Sequence, residues 1–184
     1  ALQYNGLIPI LIKAVQEQQA LIVEQRSENA ELKARLDRLE KLMAGAPLQR
    51  ASQLAGRVSG DSTVAYAIAF ARAVEAALGV EAPPRAVWLR ALMAELERIA
   101  NHFGDIGAIC NDASFAIIHA HCGVLRERTL RTADTCFGHR LMRDCIVPGG
   151  VTADLAADGV AAVRALMHEV RDKFPALVSL YDDT

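Results

Sequence analysis

Aromatic side chains are scarce in this sequence: they make up 5% of 184 residues, and Trp88 is the one tryptophan. Sheets draw on aromatic and β-branched residues, so a chain poor in the former and rich in Ala and Leu is expected to pack helices. An excess of charge of one sign is missing too. The formal net charge is −2 and no basic run stands out, so nucleic acid is not an expected partner. No apolar run approaches the roughly 18 residues that span a bilayer. The stretch Leu7–Ile12 is broken by Pro9 and stopped by Lys13, and no signal-peptide layout follows it. The cysteines Cys110, Cys122, Cys136 and Cys145 are widely spaced, with no CxxC pair among them. That spacing, without a secretion signal, points to reduced thiols in a cytoplasmic protein. An initiator Met is also missing, which leaves open that the chain is an excerpt of something longer.

What is present begins with a heptad seam. From Leu11 the spacing alternates four and three, placing Val15, Ile22, Asn29, Leu36 and Met43 at a, and Leu11, Gln18, Gln25, Leu32 and Leu39 at d. Glu28 at g would meet Lys33 at e of a parallel partner, and Arg35 would meet Glu40. Asn29 at a is a register device, and the two Gln at d weaken the middle of the seam. Residues 1–45 are therefore expected to form a coiled-coil helix that self-associates; the plainer reading is one amphipathic helix packed on its own domain. The opening, Tyr4-Asn5-Gly6-Leu7-Ile8-Pro9-Ile10-Leu11-Ile12-Lys13-Ala14-Val15-Gln16-Glu17-Gln18-Gln19, resembles the helical tail of tail-spike-type intramolecular chaperones. That resemblance implies an assembly element and carries no protease chemistry with it.

Gly45-Ala46-Pro47 is expected to end this helix, with residues 46–56 as a polar link and the second domain at 57–184. Asp61 or Ser62 is suited to cap a helix over Thr63–Leu78 that Gly79 closes. The longest single element is Pro83–Asp112. Two prolines suit its start, and Trp88, Leu92, Leu96, Ile99, Phe103, Ile106 and Cys110 recur at helical period. Beside that stripe run Glu95, Arg98, His102 and Asp105, spaced to pair along the helix and placed so that some should face protein. A further helix, about Phe115–Phe137, carries His119 and Cys122 at i, i+3. Two ligands do not complete a tetrahedral site, so no metal is expected there. Cys145–Val151 reads as a short extended piece with a glycine turn, and Leu155–Tyr181 as a last helix containing Pro175. Val160, Val163, Leu166, Met167, Val170 and Phe174 should face inward along it.

From Arg57 to about Leu155 a series of motifs stands in one order: Gly60, Ala73-Val74-Glu75, Gly79-Val80-Glu81-Ala82-Pro83-Pro84-Arg85-Ala86, Leu89-Arg90, Glu95-Leu96-Glu97-Arg98-Ile99-Ala100-Asn101-His102, Arg126-Glu127, Gly138-His139-Arg140 and Gly149-Gly150-Val151. This series resembles the large subunit of nickel–iron hydrogenases, above all the membrane-bound energy-converting group. It equally resembles the homologous quinone-site subunit of respiratory complex I. The implied fold is all-α: a long N-terminal coiled-coil helix followed by a helical core fragment of a hydrogenase-large-subunit-like domain.

The same resemblance implies where this chain departs. Hydrogenases carry Arg-x-Cys-Gly-x-Cys here, with thiolates on the nickel–iron centre, and those two positions are Ser59 and Ser62. Hydroxyls do not replace soft thiolates, so no metal or cofactor is expected on this chain alone, with a quinone the alternative that the family implies. Gly60 lies where the complex I branch commonly has a quinone-contacting tyrosine, and Tyr66 aligns with a family histidine. Ser59, Asp61, Ser62 and Tyr66 are the candidate cavity-lining residues. Glu95, Arg98, His102 and Asp105 are candidates for a structural polar network, and Val15, Ile22, Asn29, Leu32, Leu36 and Leu39 for an oligomer seam. The implied function is part of an electron-transfer oxidoreductase of hydrogenase or NADH dehydrogenase type. Its partners would be an iron–sulfur small subunit and the other subunits of a membrane-associated complex. Its place would be the cytoplasmic face of the membrane, peripheral through that complex, without a transmembrane span of its own. The isolated chain is expected to be inert. The alternative is a coiled-coil assembly module fused to a passenger helical domain, whether by nature or as a chimera.

Overall fold

An Ala- and Leu-rich chain with few aromatics does fold as helices. The computed structural model describes residues 4–183, and in the first helix the side chains of residues 13, 15–31, 33, 34, 37, 38 and 40–43. Six helices and one small hairpin make up the described residues, so the fold is mainly α. Two units divide the chain, Ala1–Ala46 and Pro47–Thr184.

The first unit is the helix α1, Tyr4–Met43, of 40 residues. Its a positions Val15, Ile22 and Asn29 are exposed, as is Leu42. The side chains of Leu32, Leu36 and Leu39 lie outside the described residues. Gly45, with φ +74, ends the unit in the left-handed region that glycine enters without a Cβ penalty.

The second unit starts with a correction to the sequence reading. The link expected over 46–56 contains a helix, α2, Leu48–Ala55, which follows Pro47 and buries Ala51, Leu54 and Ala55. Those residues repeat at i, i+3 and i+4, a pattern that small alanines hide in a hydropathy reading. The helices α3, Thr63–Leu78, α4, Pro84–Asp112, and α5, Ala116–Phe137, come next. Strands β1, Ile146–Val147, and β2, Gly150–Val151, pair antiparallel with Ile146 opposite Val151. The last helix, α6, runs over Ala157–Asp182 and continues through Pro175.

Along α4 the buried line is Leu89, Met93, Leu96, Ala100, Phe103, Gly107 and Cys110, at alternating steps of four and three. It shares Leu96, Phe103 and Cys110 with the stripe read from the sequence. Trp88 falls outside it and is 77% exposed. The difference has a physical cause: where helices approach most closely they need small residues, and Ala100 and Gly107 carry little apolar signal. A Cβ on Gly107 would lie 3.2 Å from the Cβ of Cys122, so α5 sits close enough to α4 that a larger residue there would have to push its neighbour back by a few tenths of an ångström. Two apolar clusters flank this contact. Met93, Leu96, Ala133, Phe137, Ile146 and Leu166 belong to one. Phe103, Ile118, Cys122, Leu125 and Leu177 belong to the other, with Phe174 edge-on to Phe103 at 5.6 Å between ring centroids. Among the residues expected inward on α6, Leu166 is buried and Val160 is exposed.

The polar line on α4 needs a second correction. Glu95, Arg98, His102 and Asp105 are all exposed, and Glu95 pairs with Arg98 across one turn at the surface. The buried ion pair is a different one, Glu75 with Arg90, whose side chains are 11% and 6% exposed. Arg90 donates to Glu75 Oε1 at 2.6 Å and Oε2 at 3.2 Å, and to the carbonyls of Val147 at 2.8 Å and Gly150 at 2.9 Å. The amide of Gly149 donates to Glu75 Oε1 at 2.7 Å. One pair thus ties α3, α4 and the hairpin together, and the Arg90 guanidinium holds the Glu75 carboxyl below its usual pKa range. A buried charge left without its partner costs several kcal/mol. The substitution Arg90→Met is therefore expected to lower unfolding free energy by about 3 kcal/mol in urea titration. Arg98→Met, at the surface pair, should change it by less than about 1 kcal/mol. Equal effects of the two would sink this assignment.

Candidate functional site

The segment between α2 and α3, residues 56–62, is short and polar, and its neighbours fix it at both ends. At its start the Arg57 guanidinium donates to both carboxylate oxygens of Asp144, at 2.8 and 2.7 Å, and to the carbonyl of Gln53 at 2.5 Å. That fork holds the Asp144 carboxyl below its ordinary pKa. In the middle the Asp61 amide donates to Ser59 Oγ at 3.4 Å, and Asn101 Nδ2 on α4 donates to the Asp61 carbonyl at 2.6 Å.

At the segment's end α3 begins, and its first amides need acceptors. Ser62 stands at the N-cap, but neither its side chain nor that of Asp61 caps the helix, contrary to the sequence expectation. The acceptor is Glu97 of α4, which takes the Val64 amide on Oε2 at 2.6 Å and the Ala65 amide on Oε1 at 3.0 Å. Burial pushes the Glu97 carboxyl above its usual pKa; the two amides pull the other way, and the nearby Asp61 charge adds to the rise.

Behind this segment lies a cleft of about 580 Å³ between α4 and α5. Asp61 and Ser62 form its rim; Asn101, Gly104, Asp105 and Gly107 line it from α4, and His119, Gly123, Arg126 and Glu127 from α5. Three glycines on facing helices leave the space open. A Cβ on Gly123 would meet no heavy atom within 4 Å, whereas one on Gly104 would come within 3.3 Å of Arg126 Nε. Arg126 Nη2 stands 3.9 Å from Asp61 Oδ1, a loose pair. Glu127 takes Arg140 on both oxygens at 2.9 and 2.8 Å, and Arg131 at 2.8 Å. These guanidiniums lower its pKa to about 2.

Of the candidate lining residues, the structure brings Asp61 and Ser62 to this cleft. Ser59 is half-buried in the segment without lining the cleft, and Tyr66 lies one turn into α3, 42% exposed. Of the polar line only Asp105 reaches the cleft. Sequence reading missed Glu97, Asn101 and Arg126 as parts of the site. Glu97 and Asn101 stand four apart on one face of α4, and that spacing, in a motif already singled out, was the available signal. His119 and Cys122 both lie beside Gly107; the histidine is exposed, and the thiol is fully buried, with its pKa raised by burial. All four cysteines are buried and free, and no group of three or more His, Cys, Asp or Glu among the described residues could hold a metal ion. The polar groups at and behind the rim are the Ser62 hydroxyl, the Asp61 carboxylate and the Asn101 amide.

The chain is similar to subunits of hydrogenases and of NADH-quinone oxidoreductases. It is 29% identical over 127 residues to formate hydrogenlyase subunit 5 of Escherichia coli, covering 69% of this chain and 22% of the relative. It is 28% identical over 133 residues to membrane-bound hydrogenase subunit alpha of Pyrococcus furiosus, covering 71% and 31%. With a D-type subunit of the NADH-quinone oxidoreductase of a Roseiflexus species it shares 31% identity over 144 residues, covering 77% and 34%. These likenesses support the family that joins hydrogenase large subunits to their complex I counterparts. The chain spans only a fifth to a third of the length of these relatives. No family model matches it. Nothing in these comparisons supports the likeness of Tyr4–Gln19 to chaperone tails.

Glu127 makes a pH test of the cleft wall. Its folded pKa is depressed to about 2, so its contribution to stability is present above the unfolded glutamate value of about 4.3 and lost as pH falls towards 2. Melting temperatures of wild type and Glu127→Gln should differ most near neutral pH and converge between about pH 4.3 and 2. A difference that is constant across that window would mean that the carboxylate is not paired as described.

Proposed function

We propose, on the premise that the second unit is related to hydrogenase large subunits and to their counterparts in NADH-quinone oxidoreductase, that it is part of the large subunit of such an electron-transfer complex. The cleft behind Asp61 and Ser62 is then a wall of the complex's redox cavity. The observation that carries this reading is positional. The segment on which the family resemblance puts the site is also the rim of a cleft, and it is held there from α4 by Glu97 and Asn101. Ser59 and Ser62 stand at the implied thiolate positions and the four thiols are buried elsewhere, so the residues present do not fit a nickel–iron centre. They fit a quinone better. Its carbonyl oxygens accept hydrogen bonds, and Ser62, Arg126 and His119 can donate into the cleft.

An iron–sulfur small subunit is the partner this role requires, in a complex peripheral to the cytoplasmic face of a membrane. No helix among the described residues is long and apolar enough to cross one. Exposed Trp88, Ile109, Ile117 and Tyr181 support burial of this unit among other subunits or other parts of its own. A second reading, an assembly module, is favoured by one observation: Val15 and Ile22, two a positions of the heptad seam on α1, are exposed.

Two experiments test these readings. A short-chain ubiquinone titrated into the isotopically labelled 184-residue chain should shift the amide signals of Ser62, Gly104 and Gly123. Gly123→Leu, at a position where an added Cβ meets no heavy atom within 4 Å, should abolish the shifts without lowering the melting temperature. Shifts that survive this variant, or lie elsewhere, would overturn the cleft assignment, and hydrogen- or NADH-linked turnover by the isolated chain would overturn its role as an inert part. For α1, light scattering should find an oligomer in wild type and a monomer in Ile22→Asp. A monomeric wild type ends the assembly reading.

A further inference from the structure

Helix α3 starts at the rim of the cleft, and no side chain of its own N-terminus caps its first turn. Ser62 makes no side-chain cap, and the amides of Val64 and Ala65 both end on one carboxylate, Glu97, which belongs to α4. One residue further, the Tyr66 amide closes the turn on the carbonyl of Ser62 at 3.1 Å. The same face of α4 carries Asn101, which holds the Asp61 carbonyl. Position of the rim therefore depends on a half-buried acid reaching in from another element.

We propose that Glu97 is a proton-operated latch on the Asp61–Ser62 rim, closed when ionised and opened when it takes up a proton. The geometry requires two acceptor oxygens. A carboxylate offers both, and a protonated carboxyl keeps one carbonyl oxygen and turns the other into a hydroxyl that is a poor acceptor. One of the two first-turn amides then loses its partner. The charged groups around Glu97 are few. Asp61 faces it from the segment, and Arg126 and Arg140 line the same narrow crevice from α5 and from the turn beyond it. On α4 itself Glu95 and Arg98 are exposed and paired with each other. Burial and Asp61 favour the proton while the two amides oppose it, and burial is the largest effect. The latch therefore opens at higher pH than an ordinary glutamate would titrate. The sign for global stability runs opposite to that for the local turn. A raised folded pKa means that the folded chain binds this proton more readily, so this group's contribution to overall stability is greatest below its unfolded value and is lost as pH rises through the folded one. Acid thus opens the rim without unfolding the unit through this residue.

This inference deepens the cleft reading and rests on it for its biological meaning, but its test uses no quinone. In the wild-type 184-residue chain the amide shifts of Val64 and Ala65 should titrate together, with a midpoint above about 4.3, the ordinary glutamate value. Through that midpoint, hydrogen-exchange protection of Val64, Ala65 and Tyr66, corrected for intrinsic rates, should fall about tenfold as pH drops. Glu97→Gln should remove the shared titration and leave protection low at every pH. Asp61→Asn, an exposed change that removes the repelling charge, should move the midpoint down. The latch is refuted if the two amides fail to titrate together, or if Tyr66 keeps its protection through the transition. A latch that passes in a chain that binds no quinone would leave this inference standing and remove the quinone assignment alone.

Discussion

Close contact between α4 and α5 is the constraint from which the rest of the second unit follows, because glycine on one helix lets the side chains of the other come close. Gly107 lies against Cys122, and Gly104 lies under Arg126. Packing at that distance fixes which face of each helix is inside. It places Phe103 and Cys110 with Ile118, Cys122 and Leu125, and leaves Trp88 at the surface. The contact also makes the cleft. Gly104, Gly107 and Gly123 line it without filling it, so a helix pair that is tight through its core is open along one edge.

Around that contact, long polar side chains join elements that have little apolar area of their own. Arg90 and Glu75 bind the hairpin to α3 and α4. Arg57 and Asp144 tie the start of the rim segment to the turn before β1. Glu97 and Asn101 hold the end of that segment against α4. Each of these satisfies backbone or charged groups that burial would otherwise leave without partners, and the free energy at stake lies more in the cost of breaking them than in any gain from making them. A redox cavity placed here would have its wall set by a few such attachments, which suits a role in positioning.

Departures from the sequence reading share a cause. The four-residue line Glu95, Arg98, His102 and Asp105 is the conspicuous polar pattern on α4, yet it is exposed, while the polar residues that hold other elements, Arg90, Glu97 and Asn101, lie off that line. A periodic charged line is what a solvated helix face looks like. A lone charge on the inner face is fixed by a partner far away in sequence, fifteen residues off for Arg90 and more than thirty for Glu97. Residue type along one helix carries no record of that partner. The N-cap of α3 follows the same logic: Ser62 occupies the position its type suits, but the bonds to the Val64 and Ala65 amides come from the distant Glu97.

The sequence by itself determined that the chain is helical, where α3, α5 and the hairpin turn end, and which family its motifs support, because these depend on short-range preferences and on residue order. Glycines at 79 and 138 close α3 and α5 in the left-handed region as local chemistry requires. Tertiary structure alone decided which face of α4 is buried, that a short helix occupies the expected link, and that the rim of the cleft is held by an acid on another helix. Those outcomes depend on which surfaces meet, and on the free energy of satisfying buried amides and charges across contacts that no stretch of sequence contains.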